Sequence, residues 1–331
     1  MKHSMVSHTQ NSKKSVLLIS SLILITIAGI SLFLGKYPLS LSGILNNEGI
    51  QRQVFVTLRL SRVITGVIGG IALGISGYVL QTVLKNPLAS PDIIGMASGA
   101  SAGAAFGILF FSSVLMTTVL SFVGALISVI LVLILASLDK GSKNETIILS
   151  GIGIHALAQT VLMSLKLIAD PEKELSSIEY WIMGSLNNIS MNRIMVNMVI
   201  IIFVIMLICM LQRQIILLSN SEHEARMLGV DINKMRTIII LLTAVLVSAT
   251  VSLTGLISFV GLLAPHIARK IYKHNSLNTL LLSGITGGII LVLADIFART
   301  LTSVELPVSI FTSLLGAPFL IYLLFSKRGA L

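Results

Sequence analysis

Charge and cysteine are both scarce in this chain. Of its 331 residues, 11% are charged and 55% are hydrophobic, and Cys209 is the single cysteine. The mean hydropathy is +0.98. Because this number of charges is too small to cover the surface of a soluble protein of this size, the composition predicts an all-α polytopic membrane protein. One cysteine excludes an internal disulfide and any metal site built from several cysteines.

Catalytic motifs are absent as well. The sequence has no G-x-x-x-x-G-K-[ST] phosphate loop, no H-E-x-x-H and no nucleophile elbow, so we predict no catalytic residue, no metal site and no cofactor. Asp92 and Asp295 fall near predicted span ends, where solvation is cheap, and need no proton-relay role. The net charge of +10 is spread over tails and loops without a basic, aromatic-rich face, which argues against nucleic-acid binding.

Long apolar runs separated by basic loops predict about ten transmembrane helices. Lysines near the N-terminus obey the positive-inside bias, so residues 1–14 are expected to be a cytoplasmic tail and residues 15–331 one transmembrane domain. Ten crossings return the C-terminus to the cytoplasm. The predicted spans are 15–34, 62–84, a third containing Gly95 to Gly107, 114–135, 146–167, 195–211, 237–253, 255–269, 277–296 and 308–325.

Two of these regions carry structural signals. Gly66, Gly70 and Gly74 recur every four residues in the second span, and the third span repeats the pattern, which predicts helices packed closely inside a bundle. The piece 255–269 is short for a span and contains Pro265, so we expect a broken or partly unwound helix shielded by its neighbours.

A polar stretch, Ser221 to Arg236, interrupts the apolar second half of the chain. Ser221 and Glu224 have the spacing of a capping box, Gly229 suits the left-handed residue that ends a helix, and Asp231 suits the cap of the next one. These signals predict two very short helices. One interpretation is a solvated loop between spans; the other is a rigid lever through which a soluble partner moves the membrane segments.

Other polar residues lie at or within the predicted spans. Arg59, Arg62 and Arg299 all fall on the predicted outer side, where they suit either a partner presenting carboxylates or anchoring at the lipid headgroups. His155 and Gln159 are four residues apart on one face of the fifth span. They either line a substrate path or are hydrogen-bonded within the bundle, and a lone histidine is a weak metal site.

Four long segments carry a resemblance to a known family. They are LRLSRVITGVIGGIALGISGYVLQTVLKNPLASPDIIGMASGASAGA, LGVDINKMR, GLISFVGLLAPHIAR and LADIFARTLTSVELPVSIFTSLLGAPFLIYLL. In order and spacing they resemble the permeases of type II ABC importers for ferric siderophores, haem and cobalamin, a FecCD-like family. The resemblance extends from about Val54 to Leu324.

This resemblance implies the type II importer permease fold, with ten helices and a second permease subunit, identical or homologous. It also implies two ATPase subunits that use ATP and Mg, and an extracytoplasmic substrate-binding protein, in a bacterial cell membrane. The family's coupling helices match residues 221–236, and the outer arginines that meet the binding protein match Arg59, Arg62 and Arg299. The cobalamin member's cytoplasmic gate aligns with Asn144 and Glu145, although that gate uses small hydroxyl residues. The residues predicted to contact the ATPase are Glu224, Ala225, Arg226, Leu228, Gly229 and Val230.

The sequence therefore predicts a transport subunit that is not itself an enzyme. The favoured substrate is a ferric siderophore, because the stretch Tyr180 to Asn188 resembles siderophore members more than the cobalamin member. Haem and cobalamin are the alternatives within the family. A stand-alone ion-coupled carrier is the alternative outside it, but such carriers normally need acidic or carbonyl-rich sites at the membrane midplane.

Overall fold

The computed structural model describes residues 2–40, 49–139, 143–187, 189–220, 225, 227–229 and 231–328, and these contain helices and loops but no strand. The helices are α1 (Lys2–Phe33), α2 (Gly49–Val83), α3 (Met96–Phe111), α4 (Val114–Leu138), α5 (Lys143–Ile168), α6 (Ser176–Ile182), α7 (Met191–Met210), α8 (Gln212–Ser219), α9 (Ile232–Thr254), α10 (Val260–Tyr272), α11 (Leu277–Thr300) and α12 (Val308–Arg328).

Seven of the helices are long and apolar enough to cross a membrane: α1 from Ser15, α2, α4, α5 from Asn144, α7, α9 and α11. Two further helices are apolar but shorter: α3, and α12 over its Val308–Tyr322 part. With α10 they correspond one for one to the ten predicted spans. The all-α, multi-helix class predicted from composition is confirmed.

Helix α2 lies at the centre of the bundle, where it packs against α9, α10 and α11. Its glycines make this packing possible, because a Cβ at Gly70 would overlap the carbonyl oxygen of Gly287 and one at Gly77 would overlap that of Gly261. Next to Gly74, the Ser283 hydroxyl donates to the Gly74 carbonyl over 2.7 Å. The four-residue glycine spacing therefore marks a helix–helix contact, as predicted.

A second close pair is α3 with α4. A Cβ at Gly99 would overlap both the Ser128 side chain and the carbonyl oxygen of Gly124, and one at Gly103 would overlap the carbonyl oxygen of Leu120. The glycine repeat of the third span is therefore also a packing surface.

The predicted broken helix is present, but the break is not at Pro265. Helix α9 ends at Thr254, residues 255–259 are non-helical, and α10 then runs through Pro265. The break instead has left-handed residues at both ends, Gly255 (φ 69°) and Phe259 (φ 67°). Helix α10 tolerates its proline because the carbonyl of Gly261, which Pro265 cannot bond, packs against Gly77, where no side chain intervenes.

Candidate functional site

The coupling segment is described only in part. Ser221, Glu224, Arg226 and Val230 lie outside the described residues, and with them the predicted capping box. Gly229 does adopt the left-handed conformation (φ 77°) that was predicted for it. Asp231 also behaves as predicted, because its Oδ1 accepts a hydrogen bond from the Lys234 amide over 3.1 Å and caps α9. The helix so capped is the start of a long span rather than a separate short helix.

Two described residues of the coupling segment differ sharply in burial. Ala225 is buried and belongs to one apolar cluster with Tyr78 and Val83 of α2 and Ile215 of α8. Leu228, in contrast, is 65% exposed. A leucine that is exposed beside a firmly packed alanine suits a contact with another protein.

The three outer arginines converge in space but are not exposed. Arg59, Arg62 and Arg299 are 7%, 8% and 2% exposed. Together they line a cavity of about 290 Å³. Its walls are Gly35, Lys36, Tyr37, Val54, Leu58, Arg59, Arg62, Asn187, Arg299 and Glu305.

Acidic residues of the same chain neutralise part of this charge. Arg62 donates through Nε to Asp295 over 2.8 Å and through both terminal nitrogens to Glu305, over 3.2 and 2.9 Å. Arg299 Nε lies 3.2 Å from Asp295 Oδ2, an ion pair without hydrogen-bond geometry. This arrangement corrects the expectation that Asp295 is solvated, since it is 1% exposed and lies between two guanidinium groups.

Arg59 differs from the other two arginines in its partners. It donates to the backbone carbonyls of Leu34 and Tyr37, and among the described residues no carboxylate lies within ion-pair distance of it. Arg299 also reaches this turn after α1, donating to the Leu34 carbonyl over 2.9 Å and to the Ser31 carbonyl over 2.7 Å. Arg59 therefore carries the least neutralised charge of the three.

Glu305, which lies in the loop between α11 and α12, completes this cluster. Its hydrogen bonds from Arg62 hold the pKa of its carboxyl below the ordinary value. The side chain is 32% exposed, whereas that of Asp295 is 2% exposed. Sequence reasoning did not single out Glu305 and assigned Asp295 to solvent. The four-residue spacing of Asp295 and Arg299 on α11 is the signal that could have linked them.

The remaining predicted residues lie on α5, away from the arginines. Asn144 is half-buried in the first turn, with no described hydrogen-bond partner for its Oδ1, and Glu145 beside it is exposed. His155 and Gln159 are both half-buried, and Nδ1 of His155 has no partner among the described residues. The gate and path predictions stay predictions. Within the part of the chain that the structure describes, no group of three or more His, Cys, Asp or Glu could hold a metal.

A larger cavity, of about 690 Å³, opens where the ends of α3, α4, α7 and α9 meet. Arg193 lies in its wall, donating to the Thr118 hydroxyl over 2.6 Å, with Tyr180 and Trp181 nearby. Nothing in the sequence pattern singled out this arginine.

Comparison with known proteins shows the family to which this chain belongs. The sequence profile of the FecCD transport family matches residues 22–326. The chain belongs to the FecCD transport family. It is thus a multi-pass membrane protein of this transport family, as the sequence resemblance indicated.

Individual relatives agree with this assignment. A probable iron chelatin transport system permease protein of Helicobacter pylori is 32% identical over 211 residues, and the match spans 64% of each chain, slightly less than two thirds. A vitamin B12 import system permease protein of Vibrio vulnificus is 31% identical over 331 residues, 99% of each chain.

A solved structure matches the fold. It shows an inward-facing conformation of a metal-chelate type ABC transporter, with 32% identity and a TM-score of 0.87 over 95% of this chain and 99% of that one. The type II ABC importer permease fold is therefore confirmed.

Proposed function

We propose that this permease is the membrane subunit of an ATP-driven, binding-protein-dependent importer whose substrate is a ferric siderophore. The observation that carries the proposal is the coupling segment, in which exposed Leu228 stands beside buried Ala225 at the end of central helix α2. A chain without a phosphate loop needs an external source of energy, and this segment offers a surface on which a partner ATPase can act.

The partners in this proposal are two ATPase subunits, a second permease subunit, identical or homologous, and an extracytoplasmic binding protein. Iron chelate is favoured as substrate because one relative is named an iron chelatin permease. A full-length relative is named a vitamin B12 permease, so cobalamin is the second candidate, and haem the third.

For the binding protein, we propose docking at the cavity lined by Arg59, Arg62 and Arg299. Lys36 and the three arginines bring four positive charges against the two carboxylates Asp295 and Glu305, so the cavity attracts anionic groups. Since Arg62 and Arg299 are already paired, Arg59 is the arginine most available to an incoming carboxylate.

Purification through a tag on this chain tests the energy source. The complex should retain an ATPase, and proteoliposomes containing it with the cognate binding protein should take up iron-59 bound to a siderophore only when ATP is enclosed. Uptake of labelled cyanocobalamin instead would reassign the substrate. Uptake by the single polypeptide without ATP would contradict the proposal.

Docking is tested by Arg59→Gln in the same complex, with Arg52→Gln as the matched control, because Arg52 is an exposed arginine on the same helix. Loss of one charge-assisted hydrogen bond should weaken the binding of the binding protein to the permease by about 1.5–3 kcal/mol. Equal affinity for both variants, measured by surface plasmon resonance, would exclude Arg59 from the docking site.

A further inference from the structure

Arg269, near the end of α10, joins α10 to the last two turns of α2. Its Nη2 donates to the Thr82 hydroxyl over 3.2 Å and to the Tyr78 carbonyl over 3.3 Å, and its Nη1 donates to Oε1 of Gln81. Its guanidinium carbon also lies 5.2 Å from the centre of the Tyr78 ring. A planar guanidinium that donates to several acceptors at once fixes both the position and the angle of α10 relative to α2. An ammonium group lacks this planar fork and cannot do so.

The same two turns also pack against α8, the helix that leads into the coupling segment. Tyr78 and Val83 share an apolar cluster with Ile215 of α8 and with Ala225. Lys85, just after α2, donates through Nζ to the backbone carbonyl of Asn220 at the end of α8. The end of α2 therefore contacts Arg269 on α10 and also α8, the helix that leads into the coupling segment.

Helix α10 also contacts α12. The ring of His266 lies 5.5 Å from that of Phe319, in an edge-to-face arrangement. The amino group of Lys270 lies 5.7 Å from the Tyr322 ring centre.

At the start of α10, the ring of Phe259 packs so closely on Gly316 that a Cβ there would overlap it. Just before α10, the Ser309 hydroxyl of α12 donates to the Leu256 carbonyl over 2.5 Å. Helix α10 and the non-helical residues before it thus bridge α2 and α12.

A helix so placed can move as a unit. The non-helical residues 255–259 separate α10 from α9, and the left-handed Lys273 (φ 59°) ends α10 on the other side. Both connections are turns that can absorb changes in backbone angles, as hinge residues do.

We propose that Arg269 is a positioning residue that transmits displacement of the coupling segment through the end of α2 to α10, and through α10 to α12. The proposal rests on the proposed function, since it takes the coupling segment to be the surface on which the ATPase acts. Packed helices shift as rigid bodies rather than deform, so a fork that locks α10 to α2 makes the two helices move together. Without the fork, α2 and α10 would still touch at Gly77 and Gly261, but the end of α10 would no longer be fixed to the end of α2.

The test measures movement of α12 in the complex purified with its ATPase. In a Cys209→Ala background, spin labels are attached at Leu315→Cys of α12 and Val199→Cys of α7, which are 51% and 70% exposed. Double electron–electron resonance then measures the distance between these two helices. Trapping with ATP and vanadate should shift this distance in the wild-type complex. Arg269→Gln should lose the shift while ATP hydrolysis continues, and Arg269→Lys, which keeps the charge without the fork, should also reduce it. Arg52→Gln, which removes an exposed guanidinium at the start of α2, should behave as wild type.

Two further variants decide the result if Arg269→Gln fails to fold. Gln81→Leu removes one of the three acceptors that Arg269 has on α2 and should reduce the shift, whereas Gln81→Glu keeps an acceptor at that position and should preserve it. A normal shift in Arg269→Gln or Gln81→Leu would overturn the proposal. Equal loss in both Gln81 variants would also overturn it, because the effect would then not depend on the fork. A wild-type complex without a retained ATPase, or without an ATP-dependent shift, would instead overturn the proposed function and this inference with it.

Discussion

The Nε atom of Arg62 lies 2.8 Å from Oδ1 of Asp295, and both side chains are almost completely buried. This ion pair joins α2 to α11, the same two helices whose backbones meet at Gly70 and Gly287. Asp295 also lies 3.2 Å from Arg299, so one carboxylate balances two guanidinium groups. The arginines of the proposed docking cavity are thus part of the packing that holds the centre of the bundle together.

Removing the charge of Asp295 should therefore destabilise the fold strongly. Asp295→Asn keeps the size of the side chain but leaves two buried guanidinium groups without their common counter-charge, which costs about 3–5 kcal/mol when a buried pair is broken from one side. Thermal unfolding of the detergent-solubilised chain, followed by near-ultraviolet circular dichroism, measures this loss. Glu305→Gln is the control, and it should cost much less because that carboxylate is 32% exposed and water can replace it. Similar losses of thermal stability in the two variants would show that the burial of a carboxylate does not determine how much it contributes to stability here.

Acid should weaken the same network through Glu305. The Arg62 hydrogen bonds hold the pKa of the Glu305 carboxyl below its ordinary value of 4.5. A carboxyl whose pKa is lower in the folded than in the unfolded chain stabilises the fold above the unfolded pKa, and this stabilisation disappears as the pH falls through the folded pKa. Wild type should be more stable than Glu305→Gln at pH 6, and the gap should close as the pH is lowered below about 4.5. A gap that stays constant from pH 6 to about 3 would mean that the charge of Glu305 contributes nothing.

Sequence alone predicted the helices better than it predicted their polar contacts. Apolar runs of spanning length have one solution in a bilayer, and the glycine spacing marks a helix face, so both features can be read locally. The pairing of Arg62 with Asp295 joins residues separated by 233 positions, and no local pattern contains it. Asp295 was assigned to solvent because it lies near the end of a span, whereas it is 1% exposed and paired with Arg62 and Arg299.

The position of the break before α10 shows a different limit. Pro265 was the visible helix breaker, but the chain departs from helix at Gly255 to Phe259 instead. Whether a proline breaks a helix depends on whether the carbonyl it leaves unbonded can be accommodated, and here Gly77 of another helix provides the space. Tertiary packing therefore decided a feature that local sequence could only suggest.

The contact between Gly77 and Gly261 should be intolerant of any side chain. Gly77→Ala would place a methyl group on the Gly261 carbonyl oxygen and force α2 and α10 apart, so we expect poor accumulation in the membrane or a loss of stability of about 1–3 kcal/mol, as for other overpacked cores. Gly153→Ala is the matched control, because no described atom beyond the adjoining turns of helix α5 lies within 4 Å of a Cβ built there. It should be neutral or slightly stabilising, by up to about 1 kcal/mol. Equal accumulation and equal melting temperatures for the two variants would contradict the close approach.

The predicted orientation places the coupling segment inside the cell and the loop between α11 and α12 outside. Leu228 of the coupling segment is 65% exposed and Val304 of the loop is 71% exposed, so a cysteine at either position should be accessible to a labelling reagent. In a Cys209→Ala background, a membrane-impermeant maleimide added to intact cells, or to spheroplasts if there is an outer membrane, should label Val304→Cys. It should label Leu228→Cys only after the inner membrane is opened. Labelling of Leu228→Cys in intact spheroplasts would place the coupling segment outside, where no cytoplasmic ATPase could reach it, and would refute the proposed mechanism of energy coupling.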